Sequence, residues 1–167
     1  MLPVNSDVKG KNEMGLSRLE LIDYSTEVEA SAQDVFVFFK KLEQWPSWTS
    51  SIKSAAPKSR GEWGVGFQLS FVPEFLPFPL VTRVIHYEEG RRIEWGMRTP
   101  VASMVHRFEF QPLGENRCRV RHHEYAEGLF AILAWPLRKK IEMFDRKLAD
   151  DLRDAFGKKE KETCTTL

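Results

Sequence analysis

Three side chains in this 167-residue chain combine proton-exchanging chemistry with the spacing of β-strands: His106, His122 and Glu124. Along residues 104–110, alternation puts Met104, His106, Phe108 and Phe110 on one face and Val105, Arg107 and Glu109 on the other. Along residues 117–127, Cys118, Val120, His122, Glu124 and Ala126 share a face. The charge concentrated in Arg117, Arg119, Arg121 and His123, with Tyr125, assigns the opposite face to solvent. All three groups therefore point inward. Opposed residues in a hairpin lie about 4.5–5.5 Å apart and same-face neighbours on one strand roughly 6.6 Å, so they can converge. The bland reading is that they satisfy one another's hydrogen bonds beside a wet cavity mouth. They could instead anchor the polar end of an otherwise apolar ligand. An imidazole near a carboxylate can also take and return a proton close to neutral pH, which suits dehydration or aldol-type ring closure of a polyketone. Two histidines and a carboxylate could form a metal triad, but no recognised metal motif accompanies them, so neither metal nor cofactor is expected.

The elements that must position these groups are strands followed by a helix. Leu19, Leu21, Tyr24, Thr26 and Val28 predict a first strand whose alternation slips between Leu21 and Tyr24, as at a bulge. Ser31 and Asp34 form a helix start ahead of the stripe Val35, Phe36, Phe38, Phe39 and Leu42. Trp45-Pro46-Ser47-Trp48 ends that helix and opens a second short one, because the residue before proline avoids helical geometry. The two tryptophans read as packing residues. Strands follow at residues 51–56 and through Phe67, Leu69 and Phe71, then a proline-interrupted aromatic loop over residues 72–79. In that loop Phe75, Leu76 and Phe78 fold over the sheet edge, gate a cavity, or make transient contact with a membrane surface.

Residues 80–88 and 91–98 flank a Glu89-Gly90 turn, which would pair His86 with Ile93, Val84 with Trp95 and Thr82 with Met97. The last hairpin turns within residues 112–116 and sets Phe110 opposite Cys118, His106 opposite His122 and Met104 opposite Glu124. A slip of two residues would keep the faces and exchange the partners. Finally, Leu129, Ile132, Leu133, Leu137, Ile141, Phe144, Leu148, Leu152 and Phe156 recur at helical spacing from Gly128 to about Gly157, with a kink or break expected at Pro136. Residues 1–17 read as a flexible leader, 18–157 as the folded domain and 158–167 as a polar tail.

Composition narrows the function class. Lys plus Arg number 25 against 24 Asp plus Glu, so no net field draws a polyanion, and no nucleic-acid partner is expected. No apolar run is long enough to span a bilayer, and two cysteines make no disulfide framework; a cytoplasmic protein follows. Arg83, Arg92, Arg98, Arg107, Arg119 and Arg121, mixed with Glu94 and Glu109, fall on the outer face of the sheet. They predict a solvated surface or, alternatively, a macromolecular adaptor without enzymatic activity.

The element order, together with Trp45-Pro46-Ser47-Trp48 and the run 87–93 (Tyr-Glu-Glu-Gly-Arg-Arg-Ile), resembles the START-related superfamily abbreviated SRPBCC, in its polyketide cyclase/dehydrase branch. The resemblance implies an α+β helix-grip fold. In it a curved seven-stranded antiparallel sheet, with two short helices after the first strand, wraps a long C-terminal helix and leaves an apolar cavity. It also implies a hydrophobic or aromatic ligand, lipid- or polyketide-like, held by a carrier or sensor or turned over by a cyclase or dehydratase. The expected ligand wall is Phe67, Leu69, Phe71, Val84, His86, Trp95, Met97, Met104 and Phe108 from the strands, with Leu133, Leu137 and Ile141 from the helix. His106, His122 and Glu124 are the expected catalytic groups. Such a role requires a cavity of about 300 Å³ or more.

Overall fold

The structure, a computed structural model, describes residues 18–164 and their side chains as far as Gly157; the leader expected over residues 1–17 lies outside the described residues. Seven antiparallel strands form one sheet in the order β1-β7-β6-β5-β4-β3-β2. They are β1 (Arg18–Val28), β2 (Ile52–Pro57), β3 (Gln68–Pro73), β4 (Leu80–Glu88), β5 (Arg92–Thr99), β6 (Ala102–Gly114) and β7 (Arg117–Gly128). Between β1 and β2 lie α1 (Ala32–Phe39), a 3₁₀ turn at Leu42–Gln44 and α2 (Trp45–Trp48). After β7 come α3 (Leu129–Ala134), a 3₁₀ turn at Trp135–Leu137 and α4 (Arg138–Cys164). This is the helix-grip arrangement the sequence predicts.

Local chemistry explains most boundaries. Ser31 Oγ accepts the Asp34 amide at 3.1 Å and so caps α1. Pro46 opens α2, and Pro136, with no N–H to donate, divides the last helix into α3 and α4. The slip in β1 is a bulge between Glu20 and Ile22, which lets Leu21 and Ile22 both be buried. Gly128 joins β7 to α3 at φ +61°, where a Cβ would lie 2.1 Å from the Val101 carbonyl oxygen, so only glycine permits this turn. α4 continues to Cys164, beyond the point where a fraying tail was expected.

Two registers differ from expectation. β6 and β7 continue past Phe110 to a turn at residues 115–116, with a bulge between Pro112 and Gly114 that accommodates the proline. Phe110 therefore faces Val120, Phe108 faces His122 and His106 faces Glu124, a slip of two residues that preserves every face. Between β4 and β5, Val84 does face Trp95, but a bulge after Val84 brings His86 opposite Glu94 and Tyr87 opposite Ile93. His86 is thereby turned to the convex side, away from the ligand wall on which it was expected.

The concave side holds two packed clusters. In the larger, α1 and α2 press Phe36, Phe39 and Trp45 against Trp95 and Phe108, with Leu148 and Leu152 of α4 behind them. Phe39 stands 4.7 Å from Phe108 and 5.8 Å from Trp95, ring centroid to ring centroid. Trp45 Nε1 donates to the Phe39 carbonyl at 2.7 Å, so the indole is buried without an orphan donor. The smaller cluster joins Leu21, Ala126, Ala131, Ala134 and Ile141 under α3.

Candidate functional site

Between the two clusters the sheet and the last helices fail to meet, leaving a cavity of about 260 Å³. Its sheet wall is Phe71, Met97 and Met104, and its helical wall is Phe130, Leu133, Ala134, Leu137, Ile141 and Phe144. The β3–β4 loop closes one side through Phe75, Leu76 and Phe78, and Phe75 sits 5.5 Å from the Phe144 ring. Against this apolar lining, His106 and Glu124 alone among the described residues bring titratable groups to the surface of the space.

Of the expected ligand residues, Phe71, Met97, Met104, Leu133, Leu137 and Ile141 line the cavity. Phe67, Leu69, Val84, Trp95 and Phe108 do not: they lie in the larger cluster, where α1 fills that half of the bowl. His86 is removed by the β4 bulge. Pro73, Leu80, Phe75, Leu76, Phe78, Phe130, Ala134 and Phe144 line it without having been placed there by sequence reasoning. Phe144 belongs to the helical stripe that the sequence predicts, and the aromatic loop takes the place of a gate.

The structure brings the three expected catalytic side chains together and adds a fourth. His106 Nδ1 lies 3.4 Å from Glu124 Oε2 and 3.4 Å from His122 Nε2, and His122 Nδ1 lies 3.6 Å from Asp145 Oδ1 of α4. His122, Glu124 and Asp145 are at most 1% exposed and His106 is 7% exposed. Trp95 stacks on the His106 ring at 5.9 Å and Phe108 on His122 at 3.9 Å, which fixes both ring planes. Burial, followed by the neighbouring His106 and His123, pushes the His122 imidazole well below its ordinary range, so it is neutral at physiological pH. Burial, followed by the charge of the neighbouring Glu124, holds the Asp145 carboxyl well above the ordinary carboxylate range, so it keeps its proton. The signal for Asp145 was available: it is an acid three residues before Leu148 and four after Ile141, inside the apolar stripe. His122 and Asp145 stand behind the pair that reaches the cavity, so His106 and Glu124 are the groups a bound molecule would touch.

On the convex face a larger, open groove of about 660 Å³ includes Arg91, Arg92, Arg119 and Arg121. Each is engaged: Arg91 with Glu88, Arg92 with Glu94, Arg119 with Glu27, and Arg121 with Asp23 and Glu109. Such pairing matches a solvated face.

A family model described as polyketide cyclase / dehydrase and lipid transport matches residues 21–157. A START superfamily protein from Mycobacterium smegmatis aligns with TM-score 0.67 at 20% identity, over 82% of this chain and 97% of that one. Truncated norcoclaurine synthase from Thalictrum flavum aligns with TM-score 0.63 at 17% identity, over 87% and 97%. The di-domain ARO/CYC BexL of the BE-7585A biosynthetic pathway aligns with TM-score 0.61 at 17% identity, over 80% of this chain and 45% of that one. At these identities the likeness is one of fold. No curated protein matches the sequence. No helix among the described residues is long and apolar enough to cross a membrane.

Proposed function

The chain belongs to the polyketide cyclase / dehydrase and lipid transport family, and on that premise we propose that it encloses a small hydrophobic or aromatic molecule and exchanges a proton with it through His106 and Glu124. The observation that carries this reading is the apolar space with one imidazole and one carboxyl at its floor. Its 260 Å³ falls just under the requirement of about 300 Å³ for a drug-sized ligand. The enclosed part is therefore a single small ring system or the head of a longer chain that leaves through the mouth. An enolisable ketone fits the chemistry: the pair can remove and return a proton beside the carbonyl, the elementary step of aldol-type closure and dehydration.

The mouth supports transient contact with a membrane surface. Phe78 is 53% exposed, and α3 with its following turn exposes Leu129, Ile132, Leu133 and Trp135 beside the basic run Arg138, Lys139 and Lys140. An apolar rim with cations next to it suits the interface of an anionic bilayer, from which an apolar ligand could be drawn. Phe75 and Leu76, half-buried beside Phe78, line the cavity as Phe78 does and complete the loop proposed for that contact.

Two probes test the reading. Anilinonaphthalene sulfonate should bind one per chain with enhanced fluorescence. Acetophenone in deuterated buffer should exchange its methyl hydrogens faster with protein than without, and His106→Phe should lower that rate by about 10²–10⁴ while keeping the dye site. Absence of dye binding would remove the enclosure, and equal exchange by the variant would remove the proton-transfer role.

A further inference from the structure

We infer that His106, His122, Glu124 and Asp145 form a binding site for one divalent transition-metal ion of the zinc class at the base of the cavity. This role goes beyond enclosure of an organic ligand. Each residue offers one donor atom, and the four atoms lie within 4.8 Å of one another. The closest separations are the two 3.4 Å contacts of His106 Nδ1 and the 3.6 Å contact of His122 Nδ1 with Asp145 Oδ1. These exceed the usual N–H···O range of about 2.7–3.2 Å. The two contacts of His106 Nδ1 match the edge of a tetrahedron built on metal–ligand bonds of about 2.0–2.2 Å, which works out at roughly 3.3–3.6 Å. His122 turns opposite nitrogens to His106 and Asp145. A single ion takes one of these two nitrogens, and the four donor atoms already lie close enough to close on it.

A second, independent observation points the same way. His122 Nδ1, Glu124 Oε2 and both carboxyl oxygens of Asp145 are buried without a hydrogen-bond partner. Well-formed interiors leave few such atoms, and four in one cluster call for a common partner. Among the described residues neither carboxyl is paired with a lysine or arginine; the two carboxyls face each other, and their ion-pair contacts are with the two imidazoles. One divalent ion would displace the Asp145 proton to solvent, neutralise the two carboxylates, leave both imidazoles neutral, and satisfy all four donors at once in a site where an unpaired charge is costly. Imidazole nitrogen mixed with carboxylate oxygen selects zinc and its first-row neighbours over calcium or magnesium, which favour all-oxygen shells. The cavity supplies the entry path, because His106 and Glu124 open onto it. With the ion held, these two serve as its ligands in place of the proton exchange they perform in the metal-free protein, and the polar end of a bound molecule meets the ion.

The test uses the full chain stripped with a chelator, incubated with Zn²⁺ and separately with Co²⁺, and desalted. Elemental analysis should return one ion per chain, the cobalt form should show the visible absorption of a four-coordinate site, and the thermal midpoint should rise. Asp145→Asn and His122→Gln should each weaken zinc binding at least about ten-fold. Far-UV circular dichroism checks that each variant is folded, and His106→Gln on the cavity wall gives the same reading if either is not. A wild-type chain that retains no stoichiometric metal, or variants that bind zinc as tightly as the wild type, would overturn the assignment. Dye binding by the metal-free protein is read separately: retained dye with no metal sinks the ion site alone, and lost dye with stoichiometric metal sinks the enclosure alone.

Discussion

Replacing Ala134 with phenylalanine separates a hollow site from a filled one, because the two cases change stability in opposite directions. Ala134 is 3% exposed and lines the 260 Å³ cavity from α3. Burying a phenylalanine side chain is worth about 1.5–3 kcal/mol when the space for it already exists. Strain against Met104 and Phe144 across the cavity takes back part of this, leaving a net gain of roughly 1–2 kcal/mol. For a chain of this length each kcal/mol moves the thermal midpoint by about 2–4 °C, so Ala134→Phe should melt about 2–8 °C higher. The same substitution should weaken anilinonaphthalene sulfonate binding at least about ten-fold, since the ring occupies the dye's place. Ala131 on the same helix is the control: both alanines belong to the smaller packed cluster, but Ala131 is not among the cavity-lining residues. Ala131→Phe should lose about 1–3 kcal/mol through overpacking and leave dye binding intact. Calorimetry and dye titration on both variants decide the matter. A destabilised Ala134→Phe that still binds dye like the wild type would refute the cavity and everything built on it.

Gly128→Ala should cost at least about 1–3 kcal/mol, because its positive φ is followed by ψ −135° and the added Cβ meets the Val101 carbonyl; chemical denaturation against wild type reads the loss. Cys118 is buried, and burial pushes its thiol up to about 11, so at pH 8 roughly one molecule in a thousand carries the thiolate. In a Cys164→Ser background, modification by a thiol reagent should therefore be far slower than that of a free thiol and speed up as pH rises toward 11. Rapid labelling of the folded protein at pH 8 would contradict this. Ile132→Glu with Trp135→Glu removes the exposed apolar rim and adds negative charge. Sedimentation with phosphatidylserine vesicles should fall at least several-fold, while thermal stability stays within about 1 kcal/mol of wild type.

The sequence alone determined the order of the elements, their faces and the groups that could do chemistry. Period-two alternation put His106, His122 and Glu124 on the concave side, and that held although the β6–β7 register moved by two, because such a slip changes partners without changing faces. The breaks at Pro46 and Pro136 and the bulge in β1 were legible for the same kind of reason: a missing donor or a skipped alternation acts locally. Which half of the bowl stayed empty was a tertiary matter. It depended on where the aromatics of α1 and α2 landed, and they filled the end beneath Trp95 and Phe108, displacing Phe67, Leu69 and Val84 from the ligand wall into packed core. The bulge that turned His86 outward leaves no mark in an alternation where Ile85 and Tyr87 are as apolar as Val84. Asp145 joined the two histidines because α4 crosses the concave face at that level, a meeting between residues 23 positions apart in the chain (122 and 145) that no local pattern encodes.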